Sequence, residues 1–274
     1  MDKASTLAKA KNGDINAFNQ LFSNYQPTLK GYLYRLHTDR DEVDDLYHDI
    51  FIQSFDHIRE FRGTIKQLKG WIFQIATNMS LNRLQKKKRW NLDAQDICRD
   101  SLVNHPEIQK RFAQSCQEST YNKYEIKEHV DFCFTCIAQT IPIRQQLALL
   151  LKDSLGFKVK EIGEILGLTE GKIKHLLRDG RNTMIKVYKG RCSLINRKGT
   201  CYQCTELQGI FNPQSEAQRE LMKVKMAQEP ETKSEKKLYQ LRAEIIDSIN
   251  PMNANGRDLH DLLMQHMKKV NKLK

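Results

Sequence analysis

Apolar residues recur three and four positions apart along most of this chain, while strand-like alternation is scarce. That pattern predicts an all-α fold. Breaks in it mark two small helical domains, a linker and a C-terminal helical extension. The first domain is expected over residues 10–90. Asp14 caps a helix reaching about Leu36, with Ala17, Phe18, Leu21, Phe22 and Tyr25 as its apolar stripe and Pro27 as a kink. The acidic run TDRDEVDD at 38–45 starts a second helix, where carboxylates suit the positive end of the helix dipole. Val43, Leu46, Ile50, Phe51, Phe55 and Ile58 form its buried side. After the loop EFRGTIKQ, a third helix spans 68–89 and ends in Arg83, Lys86, Lys87, Lys88 and Arg89.

Residues 91–125 are polar and weakly patterned, and read as a linker with room for short helices. A second helical domain is expected over 126–190. Its last part, FKVKEIGEILGLTEGKIKHLLRDGRNTMIKV at 157–187, has a short helix with Val159, Ile162, Ile165 and Leu166 on one face. A Gly167-Leu168 turn follows, and Thr169 caps a second helix with Ile173, Leu176, Leu177 and Met184 inward. Lys172, Lys174, His175, Arg178 and Arg181 face outward. This is the sequence form of a helix-turn-helix, whose second helix enters a DNA major groove. An ordinary helical hairpin with a solvated basic face has the same local pattern. Residues 191–274 form the extension: a loop-rich segment with three cysteines, then charged amphipathic helices over 214–247 and about 256–270.

Composition narrows the function. Among 274 residues the formal net charge is +12, which favours an anionic partner, either nucleic acid or a membrane surface. No run of about 18 apolar residues exists, and the N-terminus lacks an apolar core, so neither a membrane span nor a secretory signal is expected. The expected compartment is the cytoplasm, where seven cysteines, an odd count, argue against a disulfide framework. No Ser-His-Asp arrangement, phosphate-cradling glycine loop or HExxH string is present, so the chain reads as a non-enzyme.

The run DEVDDLYHDIFIQSF at 41–55, followed by GWIFQIATNMSLNRLQKKKR at 70–89, resembles region 2 of the extracytoplasmic-function sigma factors of bacterial RNA polymerase. Asp44, Asp45, Leu46, Asp49, Phe51, Trp71, Ile75, Ala76 and Asn78 carry the likeness, and residues 130–187 resemble region 4 of the same family. The resemblance covers roughly residues 10–190. It implies an alternative sigma factor that binds core RNA polymerase and promoter DNA, with an anti-sigma factor as a further candidate partner. It places polymerase contacts at Asp44, Asp45 and Asp49, although acidic side chains at a helix start also serve local electrostatics. It places −10 contacts at Asn78 and in the preceding loop, with Phe61, Arg62 and Lys66 as pocket candidates. Trp71 fits either base stacking or core packing. Arg83, Lys86, Lys87, Lys88 and Arg89 suit phosphate contact. Region 4 is implied to read the −35 element through Thr169, Gly171, Lys172, Lys174, His175, Arg178 and Arg181. A free-standing helix-turn-helix regulator is the rival reading.

The cysteines leave a second question. Cys192, Cys201 and Cys204 have the spacing of three zinc ligands, with Cys136 as a candidate fourth. Simple burial is the alternative, because Cys133 and Cys136 lie among Phe132, Phe134 and Ile137. A Cys201-x-x-Cys204 oxidoreductase is a third reading, but the βαβ setting of such sites is lacking.

Overall fold

The computed structural model describes residues 3–108, 110–111, 114, 126–192 and 234–272. Among these the regular elements are all helical, as the hydropathy pattern requires. The chain forms two compact units, 1–88 with 150–175, and 89–149 with 176–274.

The first unit opens with α1 (Lys3–Lys11), which turns at Gly13 (φ +95°) into α2 (Ile15–Ser23). Asp14 caps α2 by accepting from the Asn16 and Ala17 amides at 2.9 and 3.0 Å. The single helix expected from Asp14 to Leu36 is instead two. The chain breaks after Ser23, and α3 runs Gln26–His37. Pro27 starts α3 rather than kinking a longer helix, because a missing N–H costs nothing in a first turn. Helix α4 (Arg40–His57) is capped by Asp39, whose side chain accepts from the Glu42 amide. Phe18 and Phe22 of α2 meet Phe51 of α4 at ring separations of 5.3 and 5.2 Å, and Phe18 meets Phe55 at 5.4 Å. A short 3-10 turn then leads to α5 (Ile65–Leu84), which packs on α3 and α4 through Leu68, Ile72, Phe73, Ala76, Thr77, Ser80 and Leu84.

Chain from further along completes this unit. A π-helical turn (Leu150–Ser154) extends α8 (Ile143–Leu149) and is followed by α9 (Val159–Leu166). Gly167 ends α9 in the left-handed conformation (φ +63°), and the Leu168 amide returns to the Gly163 carbonyl at 2.9 Å. Thr169 then caps α10 (Glu170–Arg191), accepting from the Lys172 amide at 3.4 Å. The helix-turn-helix expected from sequence is therefore present. Its turn makes one demand the hydropathy pattern did not show. A Cβ on Gly163 would lie 2.7 Å from the Leu168 carbonyl oxygen, so a side chain there forces the backbone apart.

The second unit holds α6 (Ala94–Asn104), α7 (Ile126–Ala138), α8, most of α10, α11 (Glu235–Ser248) and α12 (Arg257–Lys272). Two sequence expectations change here. The 91–125 segment is more than a linker, because α6 places Ala94 and Cys98 in a core with Phe132, Cys136, Leu263, Met264 and Met267. From the described part of the extension, Leu263, Met264 and Met267 of α12 belong to that same core. Helix α11 packs on α7, and α12 packs on α6 and α7. Glu128 of α7 accepts from the Asn255 and Gly256 amides at 2.7 and 2.8 Å, placing a carboxylate at the positive end of α12. His260 stacks on Phe132 with centroids 4.7 Å apart.

The link between α3, α4 and the basic end of the α5 segment is polar. Glu42 accepts from Lys87 Nζ at 2.7 Å and faces His37 Nδ1 at 2.9 Å. Burial alone would raise the Glu42 carboxyl, but the His37 and Lys87 hydrogen bonds bring it down from 4.5 to about 2. Burial also lowers the His37 imidazole, which stays neutral and donates from Nδ1. Both groups therefore bind protons less readily in the folded chain than in the unfolded one. Stability is complete above the ordinary histidine range. It falls first as the unfolded chain protonates His37, then again between pH 4.5 and about 2 as Glu42 is protonated.

Two outcomes follow for stability. Glu42→Gln is expected to lose about 1–2 kcal/mol at pH 7 and to abolish the lower acid step, measured by urea unfolding across pH. An unchanged midpoint at pH 7 would remove this contact from the fold's essentials. Gly163→Val is expected to destabilise the helix-turn-helix by about 1–3 kcal/mol through the backbone clash, read as a lowered thermal midpoint by circular dichroism. A midpoint equal to the parent's would contradict the geometry of the turn.

Candidate nucleic-acid interface

The surface of α5 follows from its core. With Ile72, Phe73, Ala76, Thr77 and Ser80 inward, Asn78 and Asn82 are left exposed on the other side. Arg62 in the loop before α5 and Lys66 in its first turn are exposed as well. Phe61, expected to line a base pocket, is buried instead. Its ring packs on Trp71 at 5.1 Å and lies beneath Lys11 Nζ at 5.2 Å. Gly63 makes this possible, because a Cβ there would sit 2.5 Å from the Phe61 ring. Trp71 is half-buried against Phe61, which favours the packing alternative for that ring.

Part of α5 is covered within the same unit. Phe157, at the entry to α9, meets Phe73 at 5.4 Å, and Lys69 Nζ lies 4.7 Å over the Phe157 ring. The Gln74 side-chain amide donates to the Glu164 carbonyl at 3.1 Å. Lys69 and Phe73 are thus engaged by the residue leading into the first helix of the helix-turn-helix and Gln74 by that helix itself, whereas Asn78, one turn further on, is exposed.

The basic run after α5 does not act as one patch. Lys86 and Lys88 are exposed, while Lys87 is bound to Glu42. Arg83 pairs with Asp49 at 2.7 Å, so a residue expected to touch DNA and one expected to touch polymerase neutralise one another. Arg89 departs furthest from its expected phosphate contact. It donates to the Ala138 and Ile141 carbonyls and to Gln146 Oε1 at 2.8 Å, tying down the end of α7. Burial lowers its guanidinium to about 10. Its donors are committed to carbonyl oxygens that the end of a helix leaves unsatisfied.

On α4, Asp44 pairs with Lys30 at 2.7 Å, and Asp45 is exposed. Ile52, at 46 % exposure, adds an apolar side chain to the helix that carries Asp45 and Asp49. Sequence reasoning did not single it out, although its position outside the buried stripe was readable.

The second helix of the helix-turn-helix matches expectation more closely. Ile173, Leu177 and Met184 are buried, and Gly171, Lys172, Lys174 and His175 in the first turns are exposed. Arg178 is exposed and its Nε donates to Asp179 at 2.8 Å, while Arg181 is half-buried. A solvent-facing group of two lysines and a histidine at the start of a capped helix has the reach and charge to meet base edges and phosphates.

Of the four candidate zinc ligands, Cys136 and Cys192 lie among the described residues. Cys136 lies in the α6–α7–α12 core, where the Gln95 side-chain amide donates to its sulfur at 3.6 Å. Cys192 receives a hydrogen bond from Arg242 at 3.1 Å. Cys201 and Cys204 lie outside the described residues. Among the described residues, no three histidine, cysteine or acidic side chains gather as a metal site. No helix among them is long and apolar enough to cross a membrane.

Comparison with known proteins agrees with this geometry. Residues 21–90 match the family model for Sigma-70 region 2, and residues 131–184 match that for Sigma-70, region 4. The ECF RNA polymerase sigma factor SigW of Bacillus subtilis is 24% identical over 181 residues, covering 66% of this chain and 93% of the relative. The ECF RNA polymerase sigma-E factor of Haemophilus influenzae is 26% identical over 168 residues, covering 61% of this chain and 85% of the relative. A solved complex of the sigma factor RpoE with the anti-sigma factor NepR from Bartonella quintana aligns with a TM-score of 0.43 at 19% identity, over 63% of this chain and 96% of that one. With both regions in order and relatives matched over nearly their whole length, the chain belongs to the extracytoplasmic-function group of the sigma-70 family.

Proposed function

We propose that this protein is an alternative sigma factor, which binds core RNA polymerase and directs promoter-specific initiation in the cytoplasm without catalysing a reaction itself. The observation that carries this is the pairing of two regions on one chain. One presents Asn78 with Arg62 and Lys66 around α5, and the other presents Lys172, Lys174 and His175 on a capped second helix. A duplex-binding regulator needs only the second.

In this reading Asn78 hydrogen-bonds a base edge at the −10 element, and Arg62 and Lys66 hold the adjacent backbone. Extruding a base costs a few kcal/mol, which edge hydrogen bonds and surrounding contacts offset. Thr169, Gly171, Lys172, Lys174 and His175 meet the −35 element, with Arg178 and Arg181 against phosphates. Lys86 and Lys88 supply further backbone contacts. Asp45 and Ile52 on α4 lead the polymerase contact, with Asp44 and Asp49 beside them. A zinc ion held by Cys192, Cys201 and Cys204, with Cys136 as the fourth ligand, is a separate proposal, to be tested by metal analysis of the purified protein.

Run-off transcription on genomic fragments with core polymerase tests the reading. Discrete new start sites are expected, weakened about tenfold or more by Asn78→Ala, which removes a base-edge contact of about 1–3 kcal/mol. Lys172→Ala is expected to lower binding at all sites with a flatter salt dependence if it meets phosphate, or to relax preference at one base pair if it reads an edge. Absence of new transcripts with core polymerase, alongside tight duplex binding by the protein alone, would replace the sigma reading with a free-standing regulator.

A further inference from the structure

Helices α5 and α9 belong to one compact unit, although α5 carries Asn78 and α9 is the first helix of the helix-turn-helix. The contact between them limits how far apart the two DNA-facing groups can be. The Gln74 side-chain amide of α5 donates to the Glu164 carbonyl of α9 at 3.1 Å. Asn78 lies one helical turn beyond Gln74, and Lys172 follows Glu164 across the Gly167 turn. One helical turn, one side chain and the chain from 164 to 172 span no more than about 45 Å, even with that last stretch fully extended. The stretch is folded back instead, because Gly167 is left-handed and the Leu168 amide returns to the Gly163 carbonyl. Asn78 and Lys172 are therefore well inside that limit.

A promoter asks for much more. Its −10 and −35 elements are about 25 base pairs apart, and duplex DNA advances about 34 Å per turn of roughly 10 base pairs, so the separation is about 85 Å. One chain cannot meet both elements while Gln74 holds Glu164. The segment that would have to span the gap is also drawn in, since Ala94 and Cys98 of α6 are buried with Phe132, Cys136, Met264 and Met267. What closes the α5–α9 contact is small. Phe157 is 5% exposed, its ring meets the Phe73 ring at 5.4 Å, and Lys69 Nζ lies over it at 4.7 Å. One aromatic ring, one cation–π contact and one neutral hydrogen bond form an interface that a partner can displace by binding only the separated form. Asp45 and Ile52 on α4 are exposed while the contact is closed, so the surface proposed for polymerase is available first.

We propose that the α5–α9 contact is an autoinhibitory latch, with Phe157 seated on Phe73 and Gln74 holding Glu164, and that core polymerase docked through α4 opens it. The proposal rests on the sigma reading, which supplies the spacing of the two elements. In the closed form the helix-turn-helix cannot reach a −35 element while Asn78 is at the −10 element. Only the separated form engages a whole promoter, so the apparent affinity of the chain for its promoter is reduced by the fraction that is open. Polymerase raises that fraction by binding the separated form more tightly than the closed one.

The test places spin labels on unnatural amino acids at Gln20 of α2 and Lys160 of α9, both exposed, which leaves the seven cysteines untouched. Double electron–electron resonance then reads the distance in the full chain, alone and bound to core RNA polymerase. A short distance is expected for the free chain, lengthening by tens of ångströms on core enzyme. Gln74→Glu replaces the donor with a carboxylate that cannot bond the Glu164 carbonyl. It is expected to raise the separated fraction of the free chain about threefold or more, and to lower the concentration needed for half-maximal run-off transcription by the same factor. A distance that stays short in a complex that starts transcripts would overturn the latch and leave the sigma reading intact. A long distance in the free parent chain would also overturn it, as would a folded Gln74→Glu chain that keeps the parent's distance and half-maximal concentration. No binding to core polymerase would remove the sigma reading itself, and the latch with it.

Discussion

The Tyr32 and Thr77 hydroxyls meet 2.9 Å apart in a region closed to water, and the placement of α5 depends on that contact. Thr77 donates its proton to the Phe73 carbonyl one turn back, at 2.6 Å, so Tyr32 is the donor to Thr77. Each hydroxyl is therefore satisfied only if α3 and α5 keep one register and one rotation. Burial raises the Tyr32 phenol further, which keeps its proton available at any physiological pH. Phe73 packs on Tyr32 at 5.5 Å and reinforces the same alignment. With that face of α5 fixed inward, Asn78 points outward without further instruction, and the α5 end of the interface is set by the core beneath it.

The rest of the structure applies the same rule to charges. Glu42 joins α3, α4 and Lys87, Arg89 closes the end of α7, Glu128 seats α12, and Arg242 ties α11 to Cys192. Each is a polar group held where its loss would leave another group unsatisfied, which makes these contacts specific as well as stabilising. They also explain why a chain with a large positive excess does not present all of that charge to DNA. Arg83, Lys87 and Arg89 are occupied by partners inside the protein, while Arg62, Lys66, Lys86, Lys88, Lys172 and Lys174 are among the basic side chains that face outward.

Much of this was readable from the order of residues. Helix spacing gave the all-helical class, and the Gly167 turn with the Thr169 cap gave the helix-turn-helix, because periodicity and capping are local properties. The exposure of Lys172, Lys174 and His175 followed from the same stripe. What was not readable depended on contacts between distant segments. The role of Arg89 needs the carbonyls of 138 and 141, and the burial of Phe61 needs Trp71 and the bare Gly63 beneath it. The α6 segment looked like a linker because its few apolar residues complete a core with α12, more than 150 residues onward, rather than one of their own. Pro27 was misjudged for a local reason, since a proline in a first turn and a proline at a kink leave similar sequence traces.

The central claim is that this chain opens promoter DNA only together with polymerase. Permanganate footprinting of a recovered promoter, with the protein alone, core enzyme alone and both together, tests it most directly. Thymines of the −10 element should become reactive only with both components present, and should stay protected when Asn78→Ala replaces the parent chain. Protection of the same duplex by the protein alone, with no reactive thymines on adding core enzyme, would contradict the account.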